Sequence, residues 1–336
     1  METAFTRLIG IEVPIVQAPI GTLTNPRLAA AVSNAGGLGM LALGGAEPDQ
    51  LQRVVAETQA LTDCPFGVNL NLRRPQAERV AAALEAGVRV VSLFWGDPTP
   101  HVAAVHAAGA FVTSTVGSAE EARRHADVGV DVIVAQGWEA GGHVWGGVAT
   151  LPLVPAVVDA VAPLPVVAAG GIADGRGLAA VLALGAAGAW LGTRFVMSEE
   201  AHALPAYLSR LRDGRETDTV YSQLFDGGWP DSPHRTLRNR LIDAWEASGR
   251  PGPGARAGEG EVVGRTSAGD PISRYQSVSP AEGFEGDVDE LPMWAGQSVG
   301  ALHEVLPAGE IVRAIVAEAE QTLARLRDQG RGRADL

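Results

Sequence analysis

Phe111-Val112-Thr113-Ser114, Ser118-Ala119-Glu120-Glu121 and Val132-Ile133-Val134-Ala135 follow one another along one stretch, and their order sets the reading of the whole chain. The first and last are short runs, largely apolar at successive positions, the pattern of a parallel strand buried on both faces. The middle one reads as a helix start, with Ser118 as cap and Glu121 three residues on as the other half of a capping box. Strand, helix, strand is therefore the unit, and it repeats in both directions. Apolar runs stand at 15–17, 38–41, 66–69, 90–92, 111–114, 132–135, 166–168 and 189–191. Between them, Asn25-Pro26 and Glu47-Pro48-Asp49 open further helices, because proline is pre-set for the first helical turn. Eight alternations predict an α/β fold, a closed (β/α)8 TIM barrel. A doubly wound open sheet gives a similar string, and the count favours the barrel.

The rhythm stops near Phe195. The expected division is a barrel built from 1–196 and 296–336, with 197–295 inserted after the eighth strand as a mostly helical lid. Helices are expected over 204–211 and 235–247, the latter from the spacing of Leu237, Leu241, Ile242 and Trp245. The stretch 249–269 is crowded with Gly, Pro and Arg and reads as a loop. A last helix, 309–327, carries Ile311, Ile315, Ala319 and Leu323 at four-residue steps and would cover the barrel exterior.

Composition narrows the function. The 39 acidic and 26 basic residues leave a net charge of −13, so a nucleic-acid backbone would be repelled. Every base is arginine, which removes Schiff-base chemistry and the lysine-bearing phosphate loop. One cysteine, Cys64, makes neither an internal disulfide nor a thiolate metal site. No signal-like or membrane-length apolar run occurs, so a soluble, cytoplasmic protein without membrane partners is expected. Metal ligation is not expected.

In a barrel, chemistry sits where the strands end. Those ends carry neutral polar groups: Gln17, Asn69, Thr113, Ser114 and Gln136. Such groups suit an uncharged polar heterocycle better than a divalent metal. After the sixth run comes Gln136-Gly137-Trp138-Glu139-Ala140-Gly141-Gly142-His143-Val144-Trp145. Its glycines let the backbone approach a ligand, and His143 is a candidate general base, with a surface-loop histidine as the alternative. His101, His106 and His125 fall in predicted helices and read as ordinary side chains. The seventh and eighth runs end in Ala169-Gly170-Gly171 and Gly192-Thr193, where barrels commonly hold phosphate; plain tight turns are the alternative.

With these residues in view, the chain resembles the FMN-dependent nitronate monooxygenases, formerly 2-nitropropane dioxygenases. The resemblance lies in Gln17-Ala18-Pro19-Ile20-Gly21, Phe66-Gly67-Val68-Asn69, the histidine loop, Ala169-Gly170-Gly171-Ile172, Leu191-Gly192-Thr193-Arg194-Phe195 and Ala295-Gly296-Gln297-Ser298. It covers nearly the whole chain. It implies FMN across the barrel mouth, with Ala18 and Pro19 against the ring system and Asn69 and Gln136 on its polar edge. Gly171, Gly192 and Thr193 would hold the phosphate, Gly141, Gly142, Ala169 and Gly170 would complete the cofactor site, and Trp294, Gln297 and Ser298 would return over the flavin. His143 matches the family's catalytic histidine, which deprotonates a neutral nitroalkane. A nitronate needs no such step, and oxidation by dioxygen would give a carbonyl compound and nitrite. Ile20 departs from the usual methionine, and Trp138 and Trp145 make the loop bulky. The same superfamily includes NADH:quinone reductases and FMN-type enoyl-ACP reductases, so an NAD(P)H-dependent reductase is the alternative, and a non-catalytic flavin-binding protein the next. Substrate, electron acceptor and oligomeric state, a homodimer included, stay open.

Overall fold

The structure is a computed structural model and describes residues 1–331; positions 332–336 of the expected 296–336 barrel segment lie outside the described residues. Eight parallel strands form the central sheet: β1 (Ile15–Gln17), β2 (Gly39–Ala42), β3 (Phe66–Asn71), β4 (Val90–Phe94), β5 (Phe111–Val116), β6 (Val132–Gln136), β8 (Val166–Ala169) and β9 (Gly188–Leu191). The two-residue β7 (Gly142–His143) interrupts the count and belongs to a separate sheet. Each predicted run is a strand, most of them extended by one or two residues.

The sheet order β1-β9-β8-β6-β5-β4-β3-β2 closes on itself between β1 and β2. That seam is short, carried by Leu38 N–H to Ile15 O (2.9 Å) and Gln17 N–H to Leu38 O (3.0 Å). The Gln17 side chain extends it. Fully buried, its Oε1 accepts from Met40 N–H (3.1 Å) and its Nε2 donates to the Met40 carbonyl (3.3 Å) and to the Ala18 carbonyl. Gln17 thus serves barrel closure rather than a ligand.

Alternate strand residues point to opposite sides of the wall. Val16, Met40, Val90, Val134, Val167 and Trp190 fill the interior, and Phe5 and Ile9 of the helix Ala4–Ile9 join them from the N-terminal end. Their neighbours Leu41, Val68, Val91, Ile133 and Leu191 pack outward beneath the helices. With one end plugged, the cavity is left at the ends where the strands run out.

The helix starts behave as composition dictates, with one difference. Asn25 caps Pro26–Asn34, its Oδ1 accepting from Leu28 N–H (3.1 Å), while its Nδ2 donates to the Glu200 carbonyl (2.7 Å). Asn25→Ala is expected to cost about 1–2 kcal/mol, since it removes a cap and leaves the Glu200 carbonyl unpaired. Urea unfolding checks this; an unchanged midpoint would show that the cap contributes nothing. Ser118 accepts from Glu121 N–H (3.2 Å), but the Glu121 carboxylate does not return to it. It accepts from Gly117 N–H (2.8 Å) and Trp145 Nε1–H (2.6 Å) instead, tying this helix to the histidine loop.

Beyond Val196 the chain carries the helices Pro205–Asp213 and Arg240–Ala247, and also strands that the pattern does not predict. β10 (Thr219–Ser222), β11 (His234–Leu237) and β7 form one antiparallel sheet; β12 (Val262–Arg265), β13 (Pro271–Ser273) and β14 (Glu285–Gly286) form another. Strands of two to four residues are too short to show a period. Two sequence readings change accordingly. Residues 235–237 are strand, and the helix begins only after Asn239, whose Oδ1 caps Ile242 N–H (3.0 Å). The stretch 249–269 is not wholly loop: it contains β12, and its Arg256 is buried, paired with Asp226 (2.8 Å) and Glu259 and stacked on Tyr275 (4.4 Å). The last helix, Ala308–Arg331, packs on Gly175–Ala183, where Glu318 accepts from Gly175 N–H (2.8 Å). No described helix is long and apolar enough to cross a membrane.

Candidate active site

A cavity of about 570 Å³ opens where the strands end, and most of the residues singled out by sequence meet there. Ala18, Pro19, Asn69, Gln136, Gly141, Gly142, His143, Ala169, Gly170, Gly171, Gly192, Thr193, Trp294 and Ser298 all line it. Gln297, Thr113 and Ser114 are not among its lining residues. The Gln297 backbone N–H donates to the Glu139 carbonyl (3.0 Å), and Ser114 bonds back to the Leu93 carbonyl (3.4 Å).

One side of the cavity is backbone. Gly170 and Gly171 have φ of 101° and 72°, in the left-handed region that only glycine enters freely. The amides of Gly171, Gly192 and Thr193 have no protein acceptor among the described residues, which is the donor chemistry an anionic phosphate needs. Thr193 Oγ1 accepts from Gly296 N–H (3.0 Å), drawing the return segment to this corner. Behind it, the Glu139 carboxylate accepts from Thr150 N–H (2.9 Å), and the Thr150 hydroxyl donates to the Gly170 carbonyl (2.9 Å).

The two amide side chains have different tasks. Asn69 Nδ2 donates to Ser92 Oγ (3.1 Å), leaving Oδ1 without a protein donor at the cavity wall. Gln136 spends both ends on the histidine loop: Nε2 donates to the His143 carbonyl (3.1 Å) and Oε1 accepts from Trp145 N–H (2.9 Å).

His143 sits on β7, held in register opposite His234 of β11. Its ring lies against Trp229 (centroids 3.7 Å apart, planes at 37°), with Trp294 at 5.4 Å and Trp95 at 5.9 Å. Nε2 is 3.0 Å from Ser277 Oγ, and Nδ1 is buried without a partner. Burial pushes the imidazole pKa down to about 3, helped by the neighbouring His234 and the positive charge of Arg73. It is therefore neutral at ordinary pH. His234 is likewise lowered to about 4 by burial, opposed by the bond between its Nδ1 and the Ser232 carbonyl (3.0 Å).

Several residues here escape sequence reading. Trp95 adopts φ 69°, rare for so large a side chain, and turns its indole into the cluster with Trp145 and Trp229. Trp229 lies in Gly227-Gly228-Trp229-Pro230, a turn signal with no hint of where the ring lands. Arg73 and Arg74 also line the cavity; their adjacency just past the third run was the visible sign. Among the described residues no group of His, Cys, Asp and Glu could hold a metal ion.

A closed parallel barrel with a mouth cavity, a corner of unpaired backbone amides at the ends of β8 and β9 and a histidine in an aromatic frame is the layout of a barrel enzyme, and the family it matches makes it an oxidoreductase. The nitronate monooxygenase family model matches residues 2–318, and the chain belongs to that family. It is 35% identical to the nitronate monooxygenase of Pseudomonas aeruginosa, over 95% of this chain and 99% of that one. It is 41% identical to the (3aS,4S,5R,7aS)-5-hydroxy-7a-methyl-1-oxo-octahydro-1H-indene-4-carboxyl-CoA dehydrogenase of Rhodococcus jostii, over 74% of this chain and 69% of that one. Among solved structures, FabK from Thermotoga maritima superposes with a TM-score of 0.84 at 34% identity, covering 98% of this chain and 99% of that one.

Proposed function

We propose that the protein is an FMN-dependent nitronate monooxygenase, which oxidises alkyl nitronates with dioxygen to a carbonyl compound and nitrite. The observation that supports this reading is the half-buried His143, its pKa pushed down, at the wall of the cavity that also holds a corner of unpaired backbone amides. A single such corner suits a mononucleotide, with one phosphate on the amides of Gly171, Gly192 and Thr193. Ala18 and Pro19 would flank the ring system, Asn69 Oδ1 would accept from its polar edge, and Gly141, Gly142, Ala169, Gly170, Trp294 and Ser298 would complete the pocket. Trp294 is steadied by its carbonyl, which accepts from Tyr207 O–H (2.5 Å). Bound there, the flavin supplies electron transfer between nitronate and dioxygen.

The chain's own part is orientation and exclusion of water. The rings of Phe94, Trp95, Trp145, Trp229 and Trp294 frame His143 and keep the site dry. A histidine of such low basicity abstracts a carbon-bound proton only uphill, so an already ionised nitronate is the better substrate. For a neutral nitroalkane, His143 serves as general base. We place the enzyme in the cytoplasm, in keeping with the free, exposed Cys64.

The similarity to FabK and to a CoA dehydrogenase supports a second reading, an NAD(P)H-dependent flavin reductase. Anaerobic addition of ethyl nitronate and of NAD(P)H to the purified protein after incubation with FMN separates the two. Change of the flavin spectrum by nitronate alone is expected; rapid bleaching by NAD(P)H alone would favour the reductase, and failure to take up FMN would sink both.

A further inference from the structure

Thr150 lies behind the cavity wall yet bonds to a peptide that faces the cavity. It opens the helix Thr150–Val161 after the histidine loop, is buried, and is not among the lining residues. Its hydroxyl donates to the Gly170 carbonyl (2.9 Å), which has no other donor among the described residues. The same peptide unit carries Gly171 N–H, one of the corner amides without a protein acceptor.

A peptide is planar and trans, so its carbonyl and its N–H point opposite ways. Fastening the carbonyl to Thr150 therefore turns the N–H away from the protein, to the side where Gly171 lines the cavity. Glycines with φ of 101° and 72° flank this peptide, so nothing local stops it from rotating by half a turn and aiming its carbonyl at an anion. The bond also polarises the peptide, since hydrogen bonds in a chain strengthen one another.

The hydroxyl is itself placed by two separate features. The Glu139 carboxylate accepts from Thr150 N–H with both oxygens (2.9 and 3.1 Å), and its Oε2 also lies 3.1 Å from the hydroxyl. It thereby satisfies the end of a helix whose own cap, Ala149, makes no side-chain bond. Gly137 leaves the room: a Cβ there would stand 1.9 Å from Thr150 Oγ1 and 2.6 Å from Thr150 N.

We propose that Thr150 is a positioning residue for the anion corner: its hydroxyl holds the Gly170–Gly171 peptide with the N–H towards the cavity, and so sets the affinity for a phosphate there. For the identity of that phosphate, carried by FMN, this rests on the reading above. Thr150 touches no ligand and acts through Gly171.

The test measures binding rather than turnover. Flavin-free full-length wild type, Thr150→Val and Thr150→Ser are titrated with FMN and with riboflavin, which lacks only the phosphate, and flavin fluorescence is followed. In Thr150→Val, which keeps the shape and loses the hydroxyl, the FMN Kd should rise about tenfold while the riboflavin Kd stays within about twofold. Thr150→Ser should bind FMN like wild type. Equal weakening of both flavins overturns the proposal, because it marks a general disturbance of the pocket. An unchanged FMN Kd in Thr150→Val, or Thr150→Ser as weak as Thr150→Val, overturns it too. Where Thr150→Val fails to fold, Thr150→Ala, which sets no methyl against the Gly170 carbonyl, is read the same way. A second readout needs no flavin: the Gly171 amide resonance should move on titration with inorganic phosphate in wild type, and need about ten times more phosphate in Thr150→Val. The same phosphate dependence in both, or no movement in wild type, overturns the role of Thr150. If neither flavin binds any of the proteins, the functional reading fails while the phosphate titration still decides Thr150.

Discussion

Replacing His143 with asparagine is expected to lower turnover of neutral nitroethane by about 10²–10⁴-fold, the usual contribution of a positioned general base. Ethyl nitronate supplied in its ionised form should be consumed at close to the wild-type rate, and flavin content should not change. Asparagine keeps the β7 backbone that pairs with β11 and retains a polar group near Ser277, so the loop has no reason to unfold. Initial rates with the two substrates check this; nitroethane turnover at the wild-type rate in the variant would remove His143 from the role of base. The pH profile gives a second reading. Burial holds the imidazole pKa at about 3, so kcat/KM for nitronate should show no inflection from this group between about pH 5 and 8. For stability the sign is fixed by the direction of the shift. The folded chain binds the proton less readily than the unfolded one, so the contribution is complete above the ordinary histidine range and declines as pH falls from about 6.5 towards 3.

Gly141→Ala is expected to abolish flavin retention and to cost at least about 3 kcal/mol of stability, the upper end of ordinary overpacking. A Cβ at Gly141 would stand 2.4 Å from Gly296 N and 2.6 Å from the Ala295 carbonyl carbon. Both obstacles are backbone, so no side chain can swing aside. The displaced segment is the one that donates Gly296 N–H to Thr193 and brings Trp294 and Ser298 to the cavity. Gly142→Ala is the control: nothing lies within 4 Å of its Cβ, and only its φ of 71° is strained, a cost of roughly 1–2 kcal/mol. Flavin per protein and denaturant midpoints for the two variants decide it. Full flavin occupancy and a wild-type midpoint in Gly141→Ala would mean that the two backbones are not in the tight approach described.

The barrel and the glycine corner were legible because each rests on a local rule. A strand buried on both faces must be apolar at neighbouring positions, as Val132-Ile133-Val134-Ala135 is, and a backbone that turns through positive φ calls for Gly170 and Gly171. The short sheets after Val196 were not legible. Their pairing depends on partners far along the chain, such as β7 on β11, and nothing in His234-Arg235-Thr236-Leu237 separates a strand from the start of a helix. Arg256 was likewise lost in a Gly- and Pro-rich stretch, although burial with Asp226 and Tyr275 makes it an anchor of the cavity's outer wall.

By itself, then, the amino-acid sequence determined the eightfold βα order, the end of the barrel where the cavity opens and the presence of one histidine in a glycine frame there. Each follows from the conformational preferences of residues close together in the chain. Only the tertiary structure decided what the polar groups do. It turned Gln17 to the barrel seam and Gln136 to the histidine loop, left Asn69 Oδ1 without a protein donor at the cavity wall, and placed Trp229 over His143. Hydrogen-bond partners and burial are set by which distant segments meet, and it is that meeting that half-buries His143 and pushes its pKa down.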